Sequence, residues 1–248
     1  MLLFAAGQRP RVSDIVGHSL KQGQFAVTLE SEVDGVGPDA GRSVGGRHWA
    51  ELLANGLTFD LSGLAPGPGE VPDEGAHFYG FEQSVDLASC EALRLVPGPH
   101  LVSGGPMIPV VRCLAWLAAE LATLEGLRGV LWKPARAVSS PAYFREGITR
   151  WIGGGPFPGL GLTALVPQAD DTMISEGLAL FTGQELVLDK AIACDRAQAA
   201  KLAVRLLHWL VETGPIEQTQ SLTGPSGEML LLEPDLQQRL VRVRSGSR

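Results

Sequence analysis

Residues 106–132 read PMIPVVRCLAWLAAELATLEGLRGVLW, and their periodicity decides the fold class. Val110, Leu114, Leu117, Leu121 and Leu124 recur at steps of four, three, four and three, which is one face of an α-helix. Pro109 suits the first helical turn, where its missing N–H forfeits no bond. Gly126 can close the helix in a left-handed cap. Val130, Leu131 and Trp132 follow as a short apolar run that reads as a buried strand. A helix feeding a buried strand makes a core; it carries no chemistry of its own.

On the N-terminal side, Ser13 can cap a short helix carrying Ile15, Val16 and Leu20, with Gly23 as its stop. Phe25, Val27 and Leu29 alternate with Ala26, Thr28 and Glu30, a strand with one wet face. Residues 34–46 are glycine-rich and read as a loop. Residues 48–54 read as a helix with Trp49, Leu52 and Leu53 inward, stopped by Asn55-Gly56. Leu57, Phe59 and Leu61 alternate as a strand. The Pro/Gly segment 64–75 is the expected mobile loop, residues 77–81 a strand, and residues 97–106 another loop. Residues 90–96 fit helix or strand equally.

On the C-terminal side, Ser140-Pro141 supplies an N-cap and first helical position. Phe144, Ile148 and Trp151 form the inward stripe, and Gly153-Gly154-Gly155 ends the helix. Residues 160–166 read as a strand. Residues 174–181 and 185–189 read as a hairpin around Gly183. Asp195 and Gln198 resemble a capping box, opening a helix with Leu202, Leu206 and Trp209 inward and Lys201, Arg205, His208 and Glu212 outward. Gly214-Pro215 ends it. Residues 216–222 and 228–232 form a last hairpin around Gly224-Pro225-Ser226-Gly227, and the arginine-rich tail with Arg239, Arg242, Arg244 and Arg248 is expected to fray.

Helices interleaved with hairpins argue for an α+β fold: a mixed, largely antiparallel sheet or sheets with packed helices. The 248 residues allow one domain, or two similar halves at 1–100 and 101–248. The second reading rests on a helix–strand–helix–strand order seen at 13–61 and again at 109–166, an echo that any α+β chain can produce.

With 45% apolar and 19% charged residues the chain can bury a core unaided. Its 27 acidic against 20 basic residues give a net charge of −7, a field that weighs against nucleic acid and acidic membranes as partners. Cys90, Cys113 and Cys194 are odd in number and far apart, which favours buried thiols in a reducing compartment over disulfides or zinc. The opening MLLFAAGQRP is short for a signal peptide, and no apolar run of about 18 residues could span a membrane. The expected location is the cytoplasm.

Candidate chemistry is sparse. The stretch GGGPFPGLG at 153–161 invites a phosphate-loop reading, but its glycines follow a helix and precede a strand, and no Gly-Lys-Ser/Thr occurs. His18, His48, His77, His100 and His208 show no metal-ligand spacing. Cys113 reads as a small core residue, because a nucleophile needs a base the sequence does not supply. Asp170-Asp171 reads as a solvated turn or, with Glu176 and a histidine, as the seed of a hydrolase-like site.

Within the second half, SEGLALFTGQELVLD (175–189) resembles the T-x-GL-x-x-FG-x-x-E-hydrophobic segment of a bacterial family called domain of unknown function 4261. A helix ending WLVETG and a strand pair around GPSGE follow, as in that family, so the resemblance covers residues 106–234. Ser175-Glu176-Gly177 stands where the family has Thr-x-Gly. The resemblance implies an α+β domain with no established enzyme activity, and relatives of binding or immunity type. The leading expectation is therefore a non-catalytic protein without metal or cofactor that binds a partner chain or a second copy of itself. Phe157 and Leu160 in the glycine-rich stretch, and Phe78 and Tyr79 beyond the 64–75 loop, are the candidate contact residues. Phe157, between two prolines, is either exposed for that contact or folded back over the helix end at Trp151.

Overall fold

The computed structural model describes residues 1–28, 48–83 and 85–246. Its elements run β1 (Leu2–Ala5), α1 (Val12–Gln22), β2 (Ala26–Thr28), β3 (Trp49–Ala54), β4 (Leu57–Ser62), β5 (His77–Tyr79), β6 (Cys90–Pro97), α2 (Ile108–Leu121), β7 (Leu127–Trp132) and β8 (Ala137–Ser139). They continue α3 (Pro141–Ile152), the distorted turn α4 (Gly159–Leu162), β9 (Ala164–Pro167), β10 (Met173–Glu176), α5 (Ala179–Thr182), β11 (Glu185–Leu188), α6 (Lys190–Ala193), α7 (Arg196–Thr213), β12 (Gln220–Thr223), β13 (Met229–Asp235) and β14 (Leu240–Ser245). The fold is α+β. Two compact units divide the chain, Met1–Asp73 with Glu82–Val130, and Glu74–Phe81 with Leu131–Arg248.

In the first unit the strands lie in the order β2-β3-β4-β6-β1-β7, each pair antiparallel. The central helix α2 packs on β4 and β6, and Val110, Leu117 and Leu121 from its expected stripe are buried. It stops at Leu121, short of Gly126, which instead takes a positive φ of 79° in the turn entering β7.

Residues 48–54 are a strand, not the expected helix. Ala50, Leu52 and Ala54 are buried while Trp49 and Leu53 face out, a period of two that over so short a run also fits one helical face. Asn55-Gly56, read as a helix stop, joins β3 to β4 with φ of 51° and 76°. These left-handed values match the right-handed twist of the flanking strands. Among the described residues, the stretch 13–61 holds one helix and three strands, an order that differs from that of 109–166. Helix α1 starts at Val12, with Arg11 rather than Ser13 at the cap. The loop expected to be mobile is hydrogen-bonded along its backbone. Arg9 donates to the carbonyls of Gly63 and Gly67, and Glu70 exchanges bonds with Ala92 at 2.8 and 3.0 Å. The glycine-rich loop expected at 34–46 lies outside the described residues.

The second unit carries a six-stranded sheet, β12-β13-β14-β11-β10-β9, in which only β11 and β14 run parallel. Helix α7 packs on β11. Asp195 caps it by accepting from the amides of Ala197 and Gln198 at 3.1 Å. Leu202, Leu206, Leu207 and Leu210 are its buried stripe, and Trp209, expected inward, is half-buried beside it. The arginine-rich tail is β14 as far as Ser245; its last two residues lie outside the described region. Val241 and Val243 are fully buried, and Arg242 and Arg244 alternate with them on the other face. The hairpin expected around Gly183 is interrupted, since β10 ends at Glu176 and the helical turn α5 intervenes before β11. Strand β9 begins at Ala164 rather than Leu160, because 159–162 fold into α4. Parallel strands β5 and β8 also belong to this unit. Cys90 and Cys113 are buried as expected, whereas Cys194 is exposed.

Candidate functional site

Glu185 organises the neighbourhood of β5. Its carboxylate accepts from the amides of Gly177 at 2.9 Å, Leu178 at 3.1 Å and Ala179 at 3.1 Å, and from the Ser175 hydroxyl. Three successive amides converging on one carboxylate form an anion nest filled by the protein's own side chain. Gly177 makes the nest feasible. Its φ is 94°, and a Cβ there would stand 2.8 Å from the Cβ of Ala135. The segment resembling a family motif is thus a brace, and it fixes the direction of Glu176.

From that brace Glu176 reaches two partners. Arg136 donates from Nε at 2.5 Å and from Nη2 at 3.2 Å, and His77 Nε2 lies 2.9 Å from Oε2. The Arg136 hydrogen bonds, with lesser help from His77, hold the Glu176 carboxyl below its ordinary 4.5 despite partial burial. Tyr79, on the same strand as His77, has its phenol pushed up to about 12 by burial, then by Tyr143 and Glu176. Tyr143 stacks on it at 6.1 Å with an interplanar angle of 17°, and donates from its hydroxyl to the Leu160 carbonyl at 3.5 Å. Gly80 permits the approach, since a Cβ there would fall 2.4 Å from Tyr143 Cβ. Phe78 points the other way from its neighbours, 47% exposed, edge-on to Phe81 at 6.3 Å. Strand β5 is the terminal strand of its sheet.

Phe157 is buried, at 3% exposure, so of its two expected placements it takes the one folded back over the helix end at Trp151 and is not free for contact. It packs edge-on against Trp151 at 5.4 Å and Phe181 at 4.9 Å, and its amide donates to His208 Nδ1 at 3.2 Å. Flanking prolines deny it a ladder, so the ring closes the end of α3 instead. His208, expected to be solvated, is half-buried by that contact. Leu160 is half-buried, and it is brought to Tyr79 through Tyr143. Glu176 does meet a histidine, but Asp170 and Asp171 sit beyond the opposite end of β10. There Asp170 accepts from the Thr172 hydroxyl at 2.7 Å and amide at 3.2 Å, bonds that lower its carboxyl. Asp171 takes a left-handed φ of 63° in the same turn. Among the described residues no group of three or more His, Cys, Asp or Glu is placed to hold a metal, and no helix is long and apolar enough to cross a membrane.

Arg136, Tyr143 and Glu185 were not candidates in the sequence. Glu185 had a signal, the acidic residue closing the quoted motif. Arg136 and Tyr143 had none, because their partners lie 40 residues away or on another element. Comparison with protein-family models, with curated proteins and with solved structures finds no match for this chain.

Proposed function

We propose that this protein acts in the cytoplasm by binding another protein chain, a partner or a second copy of itself, through the aromatic surface of β5. The observation that carries the reading is Phe78, a large apolar side chain 47% exposed on a terminal strand. An edge strand of a sheet offers amides and carbonyls to an incoming chain, and an exposed aromatic beside them supplies an anchoring contact. Binding without catalysis fits two of the titratable groups beside His77. Glu176 is held ionised by Arg136, and the phenol of Tyr79 is pushed up to about 12. General acid–base work at neutral pH wants a group poised near 7, and these two are displaced away from it in opposite directions. The resemblance of 106–234 implies the same kind of role, and the net charge of −7 disfavours nucleic acid and acidic lipid.

The contact between His77 and Glu176 favours, as a second reading, a hydrolase-like site built on that pair, with Asp170 and Asp171 outside it. Stoichiometric metal in protein purified without chelator would support it against the first.

Phe78→Asp tests the first reading. Light scattering of the purified protein over a concentration series, with retention of host proteins on immobilised wild type and variant, should show self-association or one retained partner for wild type alone. The melting temperature should be unchanged, since the side chain is not in the core. A wild type that stays monomeric, and retains nothing the variant does not, would overturn the reading.

A further inference from the structure

Residues 156–158 read Pro-Phe-Pro, so Phe157 supplies the only backbone N–H of the three. That amide donates to Nδ1 of His208 on α7 at 3.2 Å. A backbone amide can only donate. Nδ1 must therefore offer its lone pair, and the proton of the neutral imidazole must sit on Nε2. Nε2 lies 3.6 Å from the Glu212 carboxylate, four residues on along the helix. The two contacts agree on the tautomer and oppose each other on charge. Glu212 favours a protonated ring. An imidazolium carries a donor on each nitrogen and has nothing with which to accept from Phe157.

The bond holds a buried ring in place. Phe157 lies edge-on to Trp151 at 5.4 Å and to Phe181 at 4.9 Å. Its carbonyl is taken locally by the Gly159 amide at 2.8 Å. Among the described residues, the contact with His208 is thus the hydrogen bond that ties 156–158 to α7. The His208 side chain is 34% exposed, so a proton reaches it without unfolding. Segment 156–162 and α5, both packed near this helix, bring no titratable side chain. On α3, Arg150 stands against Gly155 but is paired with Glu146. Glu185 of β11 is held in its amide nest, and α6 brings Lys190. On α7 itself Arg205, three residues before His208, opposes charging of the ring, and Glu212 is the group placed to favour it.

We propose that His208 is a proton-operated latch: neutral, it holds residues 156–158 on α7; protonated, it releases them and uncovers the Phe157 ring. Histidine changes charge between about pH 5 and pH 8, so the bond is present on the alkaline side of that range and lost as pH falls through it. The latch does not rest on the binding role proposed above.

NMR of the whole isotope-labelled protein, titrated from about pH 8 to pH 5, tests it. At the alkaline end the His208 ring should carry its proton on Nε2 alone, and the Phe157 amide should be protected from exchange. As the ring takes up its second proton, the protection of that amide, corrected for the pH dependence of free-peptide exchange, should fall roughly 2- to 10-fold, the worth of one net hydrogen bond. Ring contacts between Phe157 and Phe181 should weaken in step. His208→Asn sets an amide oxygen close to the place of Nδ1, and that oxygen accepts at every pH in the range. Its Phe157 protection and ring contacts should be flat. His208→Leu, with no acceptor, should show low protection throughout. A proton on Nδ1 at the alkaline end, a ring that stays neutral to the acid end, protection or ring contacts that hold constant while His208 titrates, or an equal fall in His208→Asn would each overturn the proposal. Should His208→Asn fail to fold, wild type decides: a Phe157 transition that coincides with that of the His208 ring supports the latch, and one that does not coincide overturns it.

Discussion

At Glu185 a single carboxylate satisfies three consecutive amides and a hydroxyl. Glu185→Ala leaves those donors without their acceptor, and should cost about 1.5–3 kcal/mol, the scale of hydrogen bonds to a charged group; a urea midpoint equal to wild type would show the nest to be incidental. Glu176 makes a prediction in pH. Its folded pKa is depressed, chiefly by Arg136, so its stabilising contribution is full above the ordinary value near 4.5 and is lost as pH falls through the depressed folded value. Glu176→Gln has no such proton to take up. Between about pH 6 and pH 3, the melting temperature of wild type should fall more steeply than that of the variant. Equal slopes would mean that the Arg136 contact adds nothing. Cysteine chemistry divides by burial. Cys113 is buried and its thiol is pushed up by desolvation, and Cys90 is raised by the same cause. Cys194 is exposed. A thiol reagent on native protein should label Cys194 first, with Cys90 and Cys113 following only on unfolding.

Helices with capped ends and a full stripe were legible as elements. Ser140-Pro141 with Phe144, Ile148 and Trp151, and Asp195 with Leu202 and Leu206, fold as their spacing dictates. What hides the strand is a short apolar run beside a turn signal, as at Trp49 to Ala54, where six residues satisfy either period. The arbiter was Asn55-Gly56, whose two successive left-handed residues belong to a hairpin. Gly56→Val should therefore destabilise by about 1–2 kcal/mol, the cost of a left-handed residue with a side chain, and an unchanged chemical-denaturation midpoint would contradict that. On the central helix, Leu117 is fully buried against the first unit's sheet. Leu117→Ala should lower stability by roughly 2–5 kcal/mol, and an unchanged denaturation midpoint would place the packed face elsewhere.

For the whole molecule, fold class was readable because it needs only the kinds of element present, while the candidate site was not, because it is assembled by distant pairings. His77 and Glu176 are 99 residues apart, and no local pattern announces such a meeting. The parallel pairing of β11 with β14 is likewise invisible in either strand alone. It places β14 inside the sheet between β13 and β11, so a chain ending at Leu236 should lose cooperative unfolding of the second unit; a sharp thermal transition with full secondary structure by circular dichroism would contradict that. A different consequence follows from residues 74–81, which belong to the second unit although first-unit chain lies on both sides of them. The piece from 131 onward carries Glu176 and Tyr143, but not His77, Phe78 or Tyr79. Inheritance by shuffled gene segments works on contiguous stretches, and this surface is not one. A recombination that moves residues 131–248 into another protein takes Glu176 and Tyr143 along and leaves the aromatic ledge behind, so the proposed binding surface is inherited only when both segments travel together.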